Sequence, residues 1–292
     1  MTQRQRQRLA PALFALLQAR PIRWLANDPV ALVHRYDDPQ DIEIVGWWAA
    51  ALAYGRVALF TSVIEKVLAL AAGAPARYFQ TFDPVRERPR FAKIAYRFHT
   101  PDDLFQFAQL TRRIVQGHGG VGALFLSLYD AKDADIGPTL ARFVAATRLL
   151  LEGEMTPGLR HLLPSPVDGS ACKRLNLYLR WMVRPSDGVD FGLWKAIPPG
   201  KLIVPLDTHL IRISRYLGLT RRATPGWKMA KEITEGLKAL DADDPTRYDF
   251  SLCHLGISGD CPTVRNGDKC RACPLITACR RGRPFVVSPS FL

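Results

Sequence analysis

The segment spanning residues 42–70 constrains the fold more than any other, because it is too apolar on every side to lie on a surface. At least part of it must run through a core with neighbours all round. Asp37-Asp38-Pro39 has the form of a cap followed by proline in the first turn, so a helix is expected from there. It should break near Tyr54-Gly55, resume from Val57 and end at Gly73-Ala74-Pro75. Helical patterning continues over residues 102–115 and 121–129, separated by Gly117-His118-Gly119-Gly120, and over 138–151. A turn over residues 163–169 leads into a helix from Ser170 to Val183, stopped by Arg184-Pro185-Ser186-Asp187-Gly188. Asp207 reads as the N-cap of a helix to Leu217, closed by Gly218. Thr224-Pro225 and Asp244-Pro245 open two more, reaching Leu240 and Leu255. No strand-rich section and no repeat of solenoid length appears. The expected fold class is all-α.

The N-terminus superficially resembles a signal peptide, with Arg4, Arg6 and Arg8 ahead of an apolar stretch. No small-x-small cleavage site follows, however, and the pattern runs on through Leu25, Val30, Leu32 and Val33, so it reads as an amphipathic first helix. Nothing approaches the roughly 18 uninterrupted apolar residues of a membrane span. The 292 residues carry 40 Lys plus Arg against 27 Asp plus Glu, a net charge of +13. That surplus favours a polyanionic partner, since each neutralised phosphate releases counterions. A basic protein that is merely soluble that way is the plainer alternative.

Four of the six cysteines crowd the C-terminal region as Cys261-x8-Cys270-x2-Cys273-x5-Cys279. This pattern fits a metal site in a reducing, cytoplasmic compartment better than a disulfide framework. Soft thiolates so spaced suit zinc or a [4Fe–4S] cluster. Zinc sites usually show two C-x2-C pairs and only one exists here, which favours the cluster and leaves zinc as the alternative. Cys172 and Cys253 lie outside the group and read as small buried hydrophobes. Arg265, Lys269, Arg271, Arg280, Arg281 and Arg283 surround the ligands, either as a solvated basic tail or as cations held against DNA phosphates.

The cysteine spacing and the preceding Tyr248-Asp249-Phe250-Ser251-Leu252-Cys253-His254-Leu255-Gly256 resemble the C-terminal end of the endonuclease III and MutY family. These are helix-hairpin-helix DNA glycosylases with the spacing C-x6-C-x2-C-x5-C. Two of the three intervals match, and the first is longer by a margin that a surface loop tolerates. Upstream, Val204-Pro205-Leu206-Asp207-Thr208-His209-Leu210-Ile211-Arg212 is similar to that family's D-T-H-x-x-R block, whose aspartate is catalytic. A carboxylate at a helix N-terminus is favoured as an anion by backbone N–H groups and the helix dipole. There it could stabilise an oxocarbenium ion, or it could simply cap its helix. Lys173, in Gly169-Ser170-Ala171-Cys172-Lys173-Arg174-Leu175-Asn176, resembles the family's K-T-A-N segment. In bifunctional members that lysine attacks C1′ and forms a Schiff base. Its plainer reading is a phosphate-binding or exposed lysine beside Arg174 and Arg180.

Two features depart from the family. The turn before Lys173 is longer and has one glycine, Gly169, which changes how its N–H groups could meet a phosphate. The 33 residues between Lys173 and Asp207 are about twice the usual interval, and their Asp190, Phe191, Trp194 and Lys195 could line a pocket. Archaeal 8-oxoguanine glycosylases share a long interval. Residues 169–259 also resemble a bacterial family, bearing S-A-C-K-R-L-N-L-x-L-R-W-M-V-R, that has no assigned activity. Base flipping needs aromatic side chains, for which Trp47, Trp48, Tyr54, Trp181 and Trp194 are candidates.

The resemblance implies a two-lobed glycosylase-like fold, with residues 41–160 as a helical bundle and residues 1–40 with 161–292 as the hairpin and cluster domain. It implies a monomeric, nucleoid-associated DNA glycosylase with abasic-site lyase activity on damaged double-stranded DNA, with no membrane partner. An oxidised purine such as 8-oxoguanine is the expected lesion. Lys173 and Asp207 would be catalytic. Cys261, Cys270, Cys273 and Cys279 would hold a [4Fe–4S] cluster. Gly169, Ser170, Arg174, His209, Arg212, Lys269, Arg271 and Arg280 would contact DNA. A non-catalytic DNA-structure binder on the same scaffold is the alternative, and a zinc-bearing interaction module a third. No Ser-His-Asp, phosphate-loop or dinucleotide fingerprint competes.

Overall fold

The computed structural model describes residues 1–19 and 22–282 and is all-helical, with one isolated bridge, Tyr96 to His99, among those residues. In chain order the helices are α1 (Gln3–Gln18), α2 (Val30–Val33), α3 (Pro39–Leu52), α4 (Val57–Leu70), α5 (Pro75–Gln80), α6 (Pro84–Phe91), α7 (Pro101–His118) and α8 (Val121–Ser127). They continue as α9 (Gly137–Leu149), α10 (Pro157–Leu162), α11 (Lys173–Val183), α12 (Thr208–Leu217), α13 (Trp227–Lys238), α14 (Asp249–Ile257) and α15 (Gly267–Arg271). No helix among the described residues is long and apolar enough to cross a membrane.

A recurring local device starts these helices. Asp38-Pro39, Asp83-Pro84, Thr100-Pro101 and Thr156-Pro157 each place an accepting side chain at the N-cap and proline at the first helical position. Thr100 and Asp103 form a reciprocal capping box, Thr100 Oγ1 accepting from the Asp103 amide at 3.1 Å and Asp103 Oδ2 from the Thr100 amide at 2.8 Å. The Thr156 hydroxyl, which caps α10, also donates to Asp103. One carboxylate thus joins the starts of α7 and α10. Thr100→Ala is expected to cost about 1 kcal/mol of unfolding free energy in a urea titration, with the fold retained.

α3 is the central helix, packed by α2, α4, α5, α8 and α11. Its Trp47 and Trp48 are buried, with ring centroids 5.1 Å and 4.8 Å from Phe107. Gly46 lets α11 approach, since a Cβ there would stand 2.9 Å from Met182 Cε. The expected break at Tyr54-Gly55 is present, with Gly55 at φ 84.

The single amphipathic N-terminal helix expected to reach Val33 is instead three pieces: α1, a 3-10 turn at Ile22–Asn27, and α2. Asp28 and Pro29 end the second and start the third, the Asp28 carboxylate accepting from the Val30 amide at 2.9 Å. The sequence reading also passed over α5, α6, α10 and α15, all eight residues or fewer.

The long segment between Lys173 and Asp207 packs as a joint. Trp194 is buried, stacked on Phe125, and donates to Glu43 Oε1 at 3.0 Å. Phe191 packs on His34 at 4.5 Å, and Lys195 is exposed. Asp190 is buried between Arg180 of α11 and Arg184, the residue at the C-cap of that helix. Arg180 also reaches Asp249 at 2.9 Å, and Arg184 grips Asp244 at 2.8 Å. Burial alone would lower the Arg184 guanidinium, but Asp244 and Asp190 hold it above its ordinary value.

Candidate active site and cysteine loop

α10, the turn over residues 163–172 and α11 form a helix-turn-helix unit. The turn takes up four of its own amides. Those of Asp168 and Gly169 bond the Ser165 and Pro166 carbonyls, and those of Val167 and Cys172 bond the Ser165 and Ser170 hydroxyls. Gly169 is exposed in the left-handed region at φ 75, its carbonyl accepting from the Trp227 amide at 3.0 Å. Cys172, also left-handed at φ 48, redirects the chain so that α11 begins at Lys173. Its thiol is buried, which pushes it up to about 12. Its reading as a small buried hydrophobe holds.

Lys173 is half-buried, and its Nζ donates to the Ala53 carbonyl at 3.1 Å, just past the C-terminus of α3. Asp207 caps α12 as expected, accepting from the Leu210 amide at 2.6 Å. Its other oxygen accepts from the Cys253 thiol, with Sγ to Oδ2 of 2.9 Å. Burial, then the Asp207 charge and this hydrogen bond, push the Cys253 thiol well up, while the positive charge of Lys173 pulls it back. The Cys253–Asp207 pair thus lies within electrostatic reach of Lys173, the three residues coming from three helices and each partly open to solvent. The Asp28 charge also raises this thiol, and its carboxylate bonds His254 Nε2 at 2.9 Å under Trp24.

Cys253 is not the inert filler that its sequence context suggested. The available signal was Gly256, three residues on and hence on the same face of α14. A Cβ at Gly256 would lie 2.6 Å from His209 Nδ1, so this face of α14 presses directly on the start of α12.

Four expected DNA contacts have other partners. Arg174 is buried, donating to the carbonyls of Ala51 and His161, and packs 5.3 Å from the Tyr54 ring centroid. It closes the core beside Lys173 and cannot reach a phosphate. Arg212 donates to the Cys261 carbonyl at 2.6 Å, with Cys261 Sγ at 3.6 Å, and so braces the cysteine loop. His209 packs on Gly256 and lies 3.5 Å from Arg212. Ser170 is half-buried and spends its hydroxyl within the turn.

Among the tryptophan candidates, Trp47, Trp48, Trp181 and Trp194 are all buried. Tyr54, directly after the Ala53 carbonyl that holds Lys173, remains half-exposed. Around it gather Tyr96, Phe98, His99 and His161, with ring centroids 4.7, 5.8, 5.7 and 4.8 Å away. Phe98 is 53% exposed at the tip of the tight turn between bridged Tyr96 and His99. An aromatic surface thus adjoins the lysine, built from a loop that carries no helical periodicity.

His99 is buried with no hydrogen-bond partner for either ring nitrogen among the described residues. Burial, then the Arg174 charge, pushes it down to about 4. The folded protein holds it neutral, while the unfolded chain protonates below about pH 6.5. Its contribution to stability is therefore full above about pH 6.5 and is lost as pH falls toward 4, roughly 3 kcal/mol in all. His99→Phe should flatten the acid limb of the stability profile by that order. Equal slopes in both proteins would contradict this environment.

Cys261, Cys270, Cys273 and Cys279 line one small cavity with Tyr216, Pro262 and Ile276. The described residues contain no three His, Cys, Asp or Glu groups converging on a single ion-sized point. The thiols instead ring a space. Arg281 clamps the loop to α12 through the Tyr216 hydroxyl at 2.5 Å, and Arg265 donates to the Arg281 carbonyl at 3.1 Å. Lys269 is exposed but donates to the Gly259 carbonyl at 2.8 Å, and exposed Arg271 pairs with Asp268. Exposed Arg280 stands against Gly218. Arg283 lies outside the described residues.

No curated protein and no solved structure gives a significant match to the chain. One family model does, over residues 28–258, which include Lys173, Asp207 and Cys253 and stop short of the four-cysteine loop. Its description is "Protein of unknown function (DUF2400)", and the match spans more than three-quarters of the sequence. The chain belongs to that family.

Proposed function

We propose that the protein is a DNA glycosylase with abasic-site lyase activity, excising a damaged base from double-stranded DNA. The observation that carries this reading is the Asp207–Cys253 hydrogen bond within electrostatic reach of Lys173, whose amine is held beside the aromatic surface of Tyr54 and Phe98.

In this mechanism a flipped nucleotide rests against Tyr54 and Phe98, and water is displaced from Lys173. Lys173 gives up a proton to water and its amine attacks C1′. The N-glycosidic bond breaks, and the base leaves with the electron pair and takes up a proton. Asp207, fixed by the Leu210 amide and the Cys253 thiol, faces the sugar and stabilises the cationic character that develops there. The aminal so formed opens, the C1′–O4′ bond breaking as the C1′=N bond forms and O4′ taking up a proton; loss of a C2′ proton from this imine then expels the 3′ phosphate, which breaks the strand. The 8-oxoguanine assignment rested on the long Lys173–Asp207 interval. That segment packs on α3 and α11, so the proposal here is a damaged base presented to Tyr54 and Phe98.

The four thiols fit a [4Fe–4S] cluster by donor chemistry and by lining a shared cavity, with the Arg212 guanidinium beside Cys261 suited to an anionic group. Bound there, a cluster would fix the loop and its exposed cations and take no part in bond breaking. A brown, broadly absorbing protein is expected, and a colourless zinc protein would overturn the cluster assignment. The function itself is tested by base release over a panel of lesion-bearing duplexes. Tight binding to abasic DNA without release of any base would select the non-catalytic alternative.

A further inference from the structure

We propose that a cleft between α1, the C-terminal end of α12 and the cysteine loop is a phosphate-binding site. The cleft measures about 310 Å³ and is lined by Arg4, Arg8, Arg221 and Arg280 together with Thr2 and Gln5. Among the described residues no Asp or Glu lines it. None of the four guanidiniums has a carboxylate within ion-pair distance among the described residues. Four cations gathered without an anion repel one another, and a multiply charged ligand relieves that repulsion.

The local structure prepares the cleft. Arg8 is steered by donating to the Thr277 carbonyl at 2.7 Å. Arg280 is placed by its amide, which donates to the Tyr216 carbonyl at 2.9 Å, and by Gly218, where a Cβ would meet its guanidinium at 2.5 Å. The end of α12 would ordinarily repel an anion through its unpaired carbonyls. Gln5 covers that end by donating from Nε2 to the carbonyls of Leu217 and Gly218, both at 3.1 Å. Planar guanidiniums match phosphate oxygens two at a time. α12 has 10 residues, so the cleft lies roughly 15 Å from Asp207 and is a separate site. It stands on charge and geometry alone, whether or not Lys173 acts on DNA. The phosphate could belong to a nucleic-acid backbone or to a free polyphosphate.

The test uses the full chain as wild type, as Arg4→Gln/Arg221→Gln, and as Arg86→Gln/Lys93→Gln, which removes the same charge elsewhere. Pyrophosphate at constant ionic strength should raise the Tm of the wild type and the control but not of the cleft variant. Binding of a short duplex is then followed by anisotropy across a salt series. A backbone phosphate is the source if the cleft variant binds DNA more weakly than the control and its log–log salt slope is shallower by about 0.9 per lost contact. A free polyphosphate is the source if DNA binding equals the control and only the pyrophosphate effect disappears. The proposal is overturned if pyrophosphate fails to discriminate the cleft variant and its DNA binding also matches the control.

Discussion

Asp207→Asn should lower base release by about 10²–10³-fold while leaving the protein folded. The asparagine side chain still offers an oxygen to the Leu210 amide, so the cap of α12 survives; Asn and Asp cap comparably well. Lost are the negative charge and the acceptor for the Cys253 thiol, since an amide nitrogen cannot accept that hydrogen. Cys253 offers an internal comparison. Cys253→Ser keeps a donor at the same position and should stay near wild-type activity. Cys253→Ala frees one Asp207 oxygen and should cost about tenfold, the order of one hydrogen bond to a charged group. Single-turnover assays on one cleaved lesion read both effects. Wild-type activity in Asp207→Asn would remove Asp207 from the mechanism.

Asp190→Ala should destabilise the protein by about 3–5 kcal/mol, read as a lowered midpoint in urea with unchanged slope. Asp190 is wholly buried and touches both Arg180 and Arg184, so its removal leaves two interior guanidiniums sharing the remaining carboxylates. The network is a structural splint. It ties α11, which carries Lys173 at its far end, to Asp249 at the start of the helix that carries Cys253. A loss below about 1 kcal/mol would mean that the remaining carboxylates, Asp187, Asp244 and Asp249, suffice.

Much of the fold was legible because its signals are local. The apolar stretch over residues 42–70 required a central helix, and α3 with α4 occupies it with the break where Tyr54-Gly55 placed it. Asp207 and Gly218 announce both ends of α12. The short helices α5 and α6 went unread because two turns give too little periodicity to register, although Ala74-Pro75 and Asp83-Pro84 mark their starts. At the site, Lys173 and Asp207 could be named from motif and capping. Their third companion could not, because Cys253 owes its partner to the packing of α14 on α12, a long-range fact. The same reason hid the aromatic surface: Phe98 and His161 meet Tyr54 only after α3, α10 and the Tyr96–His99 turn have come together. Arg174 shows the opposite error, in which a basic residue beside a motif reads as a phosphate ligand until its burial and carbonyl partners are seen.

Borohydride trapping tests the central claim most directly, because it captures the covalent bond that a Lys173 nucleophile must form. Wild-type protein, incubated with each duplex of the lesion panel and reduced, should yield a covalent protein–DNA adduct with at least one lesion or with abasic DNA. Lys173→Ala should yield none while still binding the same duplex. An adduct undiminished in Lys173→Ala, or no adduct from any duplex, would contradict the account.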